Sequence, residues 1–180
     1  ILEFDKMKEQ LLGFAGSSLA KELIYKLKPS TRLEEVVNWQ AETDEARQVL
    51  RIKGHVPLGG ILDVRPFVKR ATIGGMLNAS ECLDVASTIR AGKVLKHFIE
   101  EIEDDVLEIP ILRELTSEIV PLGELEREIK NCIDDHGHVM DGASDQLRTI
   151  RSKIRSYESS VRDRLEQYTR SKSKMLSDAI

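Results

Sequence analysis

The segment 132–141 holds the residues of this chain that most resemble a metal site. Cys132, His136 and His138 follow one another at spacings of four and two, with Asp141 nearby. Thiolate, imidazole and carboxylate groups are ligands of zinc and other transition metals. However, His138 lies beyond Gly137, and a structural site would need a fourth ligand and a second paired motif. We therefore predict no metal site and interpret the segment as a hinge turn after a helix.

Carboxylates and glycines elsewhere also suggest chemistry without completing a site. Glu100, Glu101, Glu103, Asp104, Asp105 and Glu108 form an acidic run. Paired carboxylates act in acid–base catalysis when they converge in a pocket, whereas consecutive ones near a helix end favour a solvated surface. Gly59-Gly60 fits neither phosphate-loop pattern, and no nucleophile elbow is present. The sequence therefore predicts no catalytic residue.

Cationic residues are concentrated toward the end of the chain. Residues 143–180 contain nine Lys/Arg and five Asp/Glu, a net charge of +4, whereas residues 1–142 contain 18 and 26, a net charge of −8. Phosphate contacts from such side chains supply most non-specific nucleic-acid affinity. The predicted nucleic-acid contacts are Arg155, Arg162, Arg164, Arg170, Lys172 and Lys174. The alternative is that they are solvated flanks of a coiled coil.

These residues belong to a long predicted helix that runs from Ala143 to about Ser177 without Gly or Pro. About 35 residues at 1.5 Å each make a rod of roughly 50 Å. Its narrow apolar stripe predicts packing against one neighbouring helix, expected in another chain or in sequence beyond these 180 residues. The stripe consists of Leu147, Ile150, Ile154, Tyr157, Val161, Leu165 and Tyr168.

The remainder, 1–142, is predicted to be a helical core. A content of 41% hydrophobic, 32% charged and only 4% aromatic residues favours packed helices over β-sheets. Helices are predicted over 4–15, from Ser17 or Ser18 to Lys28, from Ser30 or Thr31 to Gly54, over 65–71, from Asn78 or Ser80 to about Ile102, from Pro110 to Pro121, and over 122–133. The third should bury Leu33, Val36, Val37, Ala41, Ala46, Val49 and Leu50. The predicted fold is thus all-α: a core domain, 1–142, and a projecting, coiled-coil-like lever helix, 143–180.

Cellular location is predicted from two further observations. No apolar run approaches the length that spans a bilayer, so no membrane contact is expected. Cys82 and Cys132 lie far apart and do not resemble a secreted disulfide framework. Reduced thiols in the cytoplasm are therefore expected.

Three stretches carry a resemblance to a known family. They are LEFDK at 2–6, GGILDVR at 59–65 and LEREIKNCIDDHG at 125–137, followed by LRTIR at 147–151, VRDRL at 161–165 and KMLSD at 174–178. Their order and spacing resemble the N-terminal region of the second bacterial MutS class, the recombination-suppressing MutS paralogues. The resemblance covers essentially the whole chain.

The resemblance implies a function for the whole protein. It implies a core without a mismatch-reading domain, so Phe4 is not expected to act as a mismatch wedge, and an outgoing lever that leads toward a clamp. It further implies an ATPase domain that uses ATP and Mg, and a small nuclease domain, both outside this chain. Such a protein is a cytoplasmic bacterial homodimer with ATPase and endonuclease activity. It binds branched or duplex DNA and suppresses homologous recombination, or it acts on stalled ribosomes through rRNA. This segment would couple nucleotide state to the clamp, with no cofactor or catalysis of its own.

Two alternatives come from other classes of protein. The first is a structural coiled-coil dimerisation scaffold that does not bind nucleic acid, in which the stripe from Leu147 to Tyr168 pairs two copies. The second is an enzyme with a metal site built on Cys132, His136 and His138.

Overall fold

The fold is that of a computed structural model, which describes residues 3–171. All regular secondary structure in this range is helical, apart from one antiparallel bridge between Ile133 and Val139. This confirms the all-helical prediction. No helix in the described range is long and apolar enough to cross a bilayer. The helices are α1 (Phe4–Leu12), α2 (Ser18–Lys26), α3 (Leu33–Lys53), α4 (Arg65–Thr72), α5 (Ala79–Glu100), α6 (Pro110–Ser117), α7 (Gly123–Cys132) and α8 (Asp145–Ser171), with a short 3-10 turn at Asp141–Ala143.

Local capping residues set several of the helix starts. The Ser17 hydroxyl accepts a hydrogen bond from the Ala20 amide at 3.1 Å, which satisfies one unpaired donor of the first turn of α2. A capping box starts α5: the Asn78 side chain accepts from the Glu81 amide, and the Glu81 carboxylate accepts from the Asn78 amide, both at 2.9 Å. Pro110 occupies the first turn of α6. The predicted starts at these places are confirmed.

The predicted cap of α3 is wrong. The helix begins at Leu33, and its N-cap residue, Arg32, makes no side-chain capping bond. The Ser30 hydroxyl donates to the Glu35 carboxylate at 2.6 Å and accepts from the Arg32 amide at 3.1 Å. The side chain of Ser30 therefore closes the turn before the helix instead of capping it. Helices α1 and α6 are also shorter than predicted. Each ends in a turn whose amide, of Gly13 or Ile119, donates to the carbonyl three residues earlier.

The contacts divide the chain into two compact units, with the division between Lys130 and Asn131. In the first unit, the core lies where α3, α5 and α6 meet. The fully or nearly buried residues are Val49, Ile99, Ile102, Leu107 and Ile109, and Val56, Leu95, Phe98 and Leu112 pack against them. Two of the three helices thus contribute their C-terminal halves, and the segment between α5 and α6 contributes three side chains.

Most of the face that α3 was predicted to bury is exposed. Val49 is 1% exposed, but Leu33, Val37 and Leu50 are 77%, 55% and 50% exposed, and Ala41 is also exposed. The prediction is wrong for these four residues because α3 packs mainly against α6, and α6 meets only its C-terminal half. Within the described residues, the rest of that stripe has no helix to cover it.

A buried carboxylate joins α3 to the start of α6. Glu45 is 8% exposed, and its two oxygens accept hydrogen bonds from the backbone amides of Ile111 at 3.1 Å and Leu112 at 2.9 Å. The N-cap residue of α6, Ile109, has no side chain that could do this. A negative charge at a helix N-terminus satisfies unpaired donors and interacts favourably with the helix dipole. Glu45 is therefore a cap supplied from another helix.

The Gly59-Gly60 turn lies directly on α5. Gly60 has φ 83°, and a Cβ there would lie 3.0 Å from the Ser87 oxygen. The Ser87 hydroxyl donates to the Gly60 carbonyl at 3.2 Å, and the Leu62 amide donates to the Thr88 hydroxyl at 3.1 Å. The tight turn and close backbone approach predicted here are confirmed. Only glycine combines the positive φ with the close contact to Ser87 without strain.

Replacing Glu45 is expected to weaken the first unit. Glu45→Ala leaves two partly buried amides without an acceptor, which should lower the free energy of unfolding by about 1–3 kcal/mol. Glu45→Gln keeps one acceptor oxygen and should be less destabilising. Urea unfolding followed by far-UV circular dichroism compares the three proteins. Equal stability of wild type and Glu45→Ala would contradict the capping role.

Candidate nucleic-acid interface on helix α8

In the second unit, a tight turn precedes α8. One oxygen of Asp134 accepts hydrogen bonds from the amides of His136 at 2.9 Å and His138 at 2.8 Å. Gly137 adopts φ 82°, the left-handed conformation that lets the chain reverse. The two amide bonds hold the pKa of Asp134 below its usual value. The hinge turn predicted from the sequence is therefore organised by an aspartate.

The potential metal ligands of this turn are not arranged around one point. The His136 and His138 rings are 6.4 Å apart at their centroids, and Asp134 is engaged by backbone amides. Between residues 3 and 171, no group of three or more His, Cys, Asp or Glu side chains is placed to hold a metal ion. The enzyme alternative based on Cys132, His136 and His138 thus gains no support.

Two ion pairs to one aspartate fix the base of α8. The Asp141 carboxylate binds Arg151 at 2.8 Å through one oxygen and Arg155 at 2.9 Å through the other. Arg151 also donates to the Val139 carbonyl at 2.7 Å. The two guanidinium groups lower the pKa of Asp141. This arrangement connects the turn before α8 to the second and third turns of the helix.

The structure separates the predicted nucleic-acid contacts into three groups. Arg155 is engaged by Asp141, and Arg170 lies 3.7 Å from the Glu166 carboxylate. The side chains of Arg162 and Arg164 are exposed and form no ion pair with any described residue. Lys172 and Lys174 lie outside the described residues. Among the predicted contacts in the described part of the helix, Arg162 and Arg164 are therefore the most available.

The charges of α8 are not sorted into one purely basic face. At 3.6 residues per turn, Arg148, Arg151, Arg155 and Arg162 fall within roughly one-sixth of the circumference. Glu158 and Glu166 lie one turn before and one turn after Arg162. Arg164 lies on nearly the opposite side of the helix. A phosphate backbone would therefore meet separate cations more readily than one continuous patch.

The apolar stripe of α8 is largely open to solvent. Leu147, near the base, is partly buried, whereas the six residues beyond it are 46–69% exposed. These are Ile150, Ile154, Tyr157, Val161, Leu165 and Tyr168. From Ile154 to Leu165 the stripe forms a shallow groove bordered by Glu158 and Arg162. The described residues of the second unit supply no helix that packs along it.

Sequence reasoning missed the role of Asp141 as the partner of two arginines. Its position in a Gly-containing turn, ten and fourteen residues before Arg151 and Arg155, has no helical spacing that could have indicated the contact. The only available indication was the excess of arginine over acidic residues in the first turns of the helix.

The base of α8 is expected to open in acid. Because the pKa of Asp141 is lowered by folding, its contribution is complete above the usual aspartate pKa of about 4 and is lost as pH falls through the lower folded value. Asp141→Asn should make the amides of residues 139–155 exchange hydrogen several-fold faster, on the order of 2–10-fold, at neutral pH. Hydrogen exchange measured by mass spectrometry checks this.

The matched control for this experiment is Asp145→Asn. Asp145 is the first residue of α8 and its side chain is almost fully exposed; among the described residues, its carboxylate pairs only with Arg148, at 3.2 Å. It should change exchange much less than Asp141→Asn does. Equal effects of the two substitutions would mean that Asp141 has no special role at the base of the helix.

Comparison with known proteins finds relatives that are similar along the whole chain. No family model matches it. Proteins named Endonuclease MutS2 are similar over the whole chain: 56% identical over 183 residues in Halalkalibacterium halodurans and in Shouchella clausii, and 54% over 182 residues in a Geobacillus species. The match covers 23% of each relative, so the chain spans about a quarter of the length of the curated relatives it matches. With this identity along its entire length, the chain fits the N-terminal segment of MutS2 proteins.

Proposed function

We propose that this chain is the non-catalytic core and lever segment of a MutS2-type ATPase and endonuclease. The observation that supports the proposal best is α8, a 27-residue helix with a fixed base and an exposed apolar stripe. Beyond the base, Arg162 and Arg164 form no ion pair with any described residue. A helix of this kind suits transmission of movement and contact with an anionic polymer. The relatives' name, Endonuclease MutS2, supports the nuclease part of the proposal.

In this proposal, α8 acts as a rod. Its 27 residues extend about 40 Å at 1.5 Å per residue. A small rotation at the base of a rigid helix becomes a large displacement at its tip. Nucleotide state elsewhere in a homodimeric full-length protein would rotate the base, and the tip would open or close a nucleic-acid clamp.

ATP and Mg would bind outside this chain. The glycine pair at 59–60 offers no phosphate-binding loop, because the Gly60 carbonyl is bonded to Ser87 and the turn is packed on α5. The purified chain, incubated with ATP and magnesium, should therefore release no phosphate above the buffer rate in a colorimetric assay. Phosphate release that co-purifies with the chain through two columns would contradict this part of the proposal.

The proposed ligand is nucleic acid, either branched or duplex DNA in the suppression of homologous recombination or rRNA on stalled ribosomes, in the bacterial cytoplasm. The contacts would be Arg162, Arg164 and Arg170, with Lys172 and Lys174 beyond them. Arg155 would contribute only after release from Asp141. The exposed stripe also favours a second candidate, a coiled-coil dimerisation scaffold in which these cations remain solvated.

Binding of a four-way DNA junction and a matched duplex across a salt series tests the proposal. The variants are Arg162→Glu/Arg164→Glu and Arg170→Glu/Lys172→Glu/Lys174→Glu. Each variant should bind about tenfold more weakly or worse. The slope of log affinity against log salt should also become shallower, by about 0.9 for each phosphate that the protein no longer neutralises. A junction preference would support the recombination role, and the same series with an rRNA hairpin tests the ribosomal one.

Charge reversal in the acidic first unit provides the matched control. Lys21→Glu/Lys53→Glu/Lys69→Glu changes the net charge by the same amount as the triple variant, at exposed positions outside α8. It should leave binding nearly unchanged. If all variants bind like wild type, the contact lies outside α8. Concentration-dependent dimerisation without any binding would favour the scaffold.

A further inference from the structure

One face of α5 is exposed and carries charges at both ends. Arg90, Lys93, Val94, His97 and Glu100 are spaced so that they share this face, and Glu101 continues it at the C-cap. All six residues are exposed. We refer to these six residues as the α5 face.

A groove of about 480 Å³ runs along the α5 face, with Pro121 and Glu126 on its far side. The segment before Pro121 is held in place by Lys96, whose ammonium group donates to the Ser117 carbonyl at 3.2 Å and the Ile119 carbonyl at 2.9 Å. A Cβ at Gly92 would touch Ile119 at 3.4 Å, so this segment lies close against α5. The wall of the groove is therefore part of the folded first unit.

The charges of the α5 face are polarised along the helix. Arg90 and Lys93, toward its N-terminus, form no ion pair among the described residues. Glu100 and Glu101 lie at the other end, about 16 Å from Arg90 at 1.5 Å per residue. Glu101 also lies 3.1 Å from His97. One end of the face is thus cationic and the other anionic.

This polarity is complementary to itself. If a second α5 lies antiparallel across a twofold axis near residues 95–96, Arg90 faces Glu101 of the second copy. Lys93 then lies about 3 Å along the helix from the position opposite Glu100 of the second copy, within reach of its long side chain. Val94 and His97 meet at the centre. A twofold interface repeats each contact, so four opposite-charge pairs form. The antiparallel arrangement is also the one that helix dipoles favour.

The α5 face and the wall of its groove also expose apolar side chains. Val94 and Pro121 line the groove itself, and Val94 is 43% exposed. Val120, Leu122 and Leu125, close to Pro121 in the sequence, are 71%, 48% and 42% exposed. An apolar patch with a charged rim is typical of protein–protein interfaces. Nucleic acid fits less well, because Glu100 and Glu126 within the groove would repel phosphates.

We propose that the α5 face pairs with the α5 face of a second copy in an antiparallel, twofold arrangement. The inference rests on the homodimer included in the proposed function and names a surface for it. It does not require nucleic-acid binding by α8. It also differs from the coiled-coil alternative, in which the stripe of α8 joins the two copies.

Sedimentation velocity of the whole chain over a concentration series, at low salt, tests the proposal. Wild type should self-associate. Arg90→Glu/Lys93→Glu makes the face all anionic, and Glu100→Lys/Glu101→Lys makes it all cationic, so each variant alone should associate at least about tenfold more weakly. An equimolar mixture of the two should form a heterodimer, because each face then meets its opposite.

Combining all four substitutions in one chain reverses the polarity of the face and should restore self-association. Circular dichroism establishes that each variant is folded. The control Ile154→Asp/Val161→Asp disrupts the stripe of α8 and should leave self-association unchanged.

Three results would overturn the proposal: a wild-type chain that stays monomeric at the highest concentration, self-association abolished only in the α8 control, or a mixture that stays monomeric. Junction binding that falls in the α5-face variants while sedimentation is unchanged would assign the groove to nucleic acid instead. Because junction binding by the α8 variants is measured separately, failure here leaves the proposed nucleic-acid role standing.

Discussion

The first unit depends on a single buried carboxylate. Glu45 comes from the middle of α3 and satisfies the first amides of α6, more than sixty residues later in the chain. This link holds the first turn of α6 against α3, and so it anchors one end of the segment that carries Ile102, Leu107 and Ile109 into the core. A buried acid that is fully hydrogen-bonded stabilises one arrangement of the helices and disfavours others.

The second unit is held together by different forces. No described residue of α8 is fully buried, so burial of apolar area contributes little to fixing its base. Aspartates do this instead: Asp134 closes the turn, and Asp141 binds the helix through Arg151 and Arg155. Ion pairs at the surface are individually weak and sensitive to salt and pH. A helix fixed in this way can change its attachment without unfolding a core, which suits a lever.

Local patterns were predictable from the sequence, and distant pairings were not. Local residues, within one turn of each other, determine the caps at Ser17 and Asn78 and the start at Pro110. The long final helix was predictable because the same local spacing repeats along it. The stripe of α3 misled the prediction because periodicity marks an apolar face without saying whether a neighbour covers it. The roles of Glu45 and Asp141 depend on contacts across turns and loops. For α8 the composition indicated the candidate cations, but only the structure revealed which of them are already engaged.

The exposed stripe of α8 has a consequence during synthesis. In proteins of the relatives' length, of which this segment is the N-terminal 23%, roughly 600 residues follow it, and at about 5–20 residues per second they take about half a minute to two minutes to translate. In such a protein, the apolar residues from Ile150 to Tyr168 would be exposed to water throughout that interval. The arginines and glutamates between them keep that surface hydrated and discourage aggregation. In a protein of that length, the charge of this helix would therefore reduce aggregation before the rest of the chain is made.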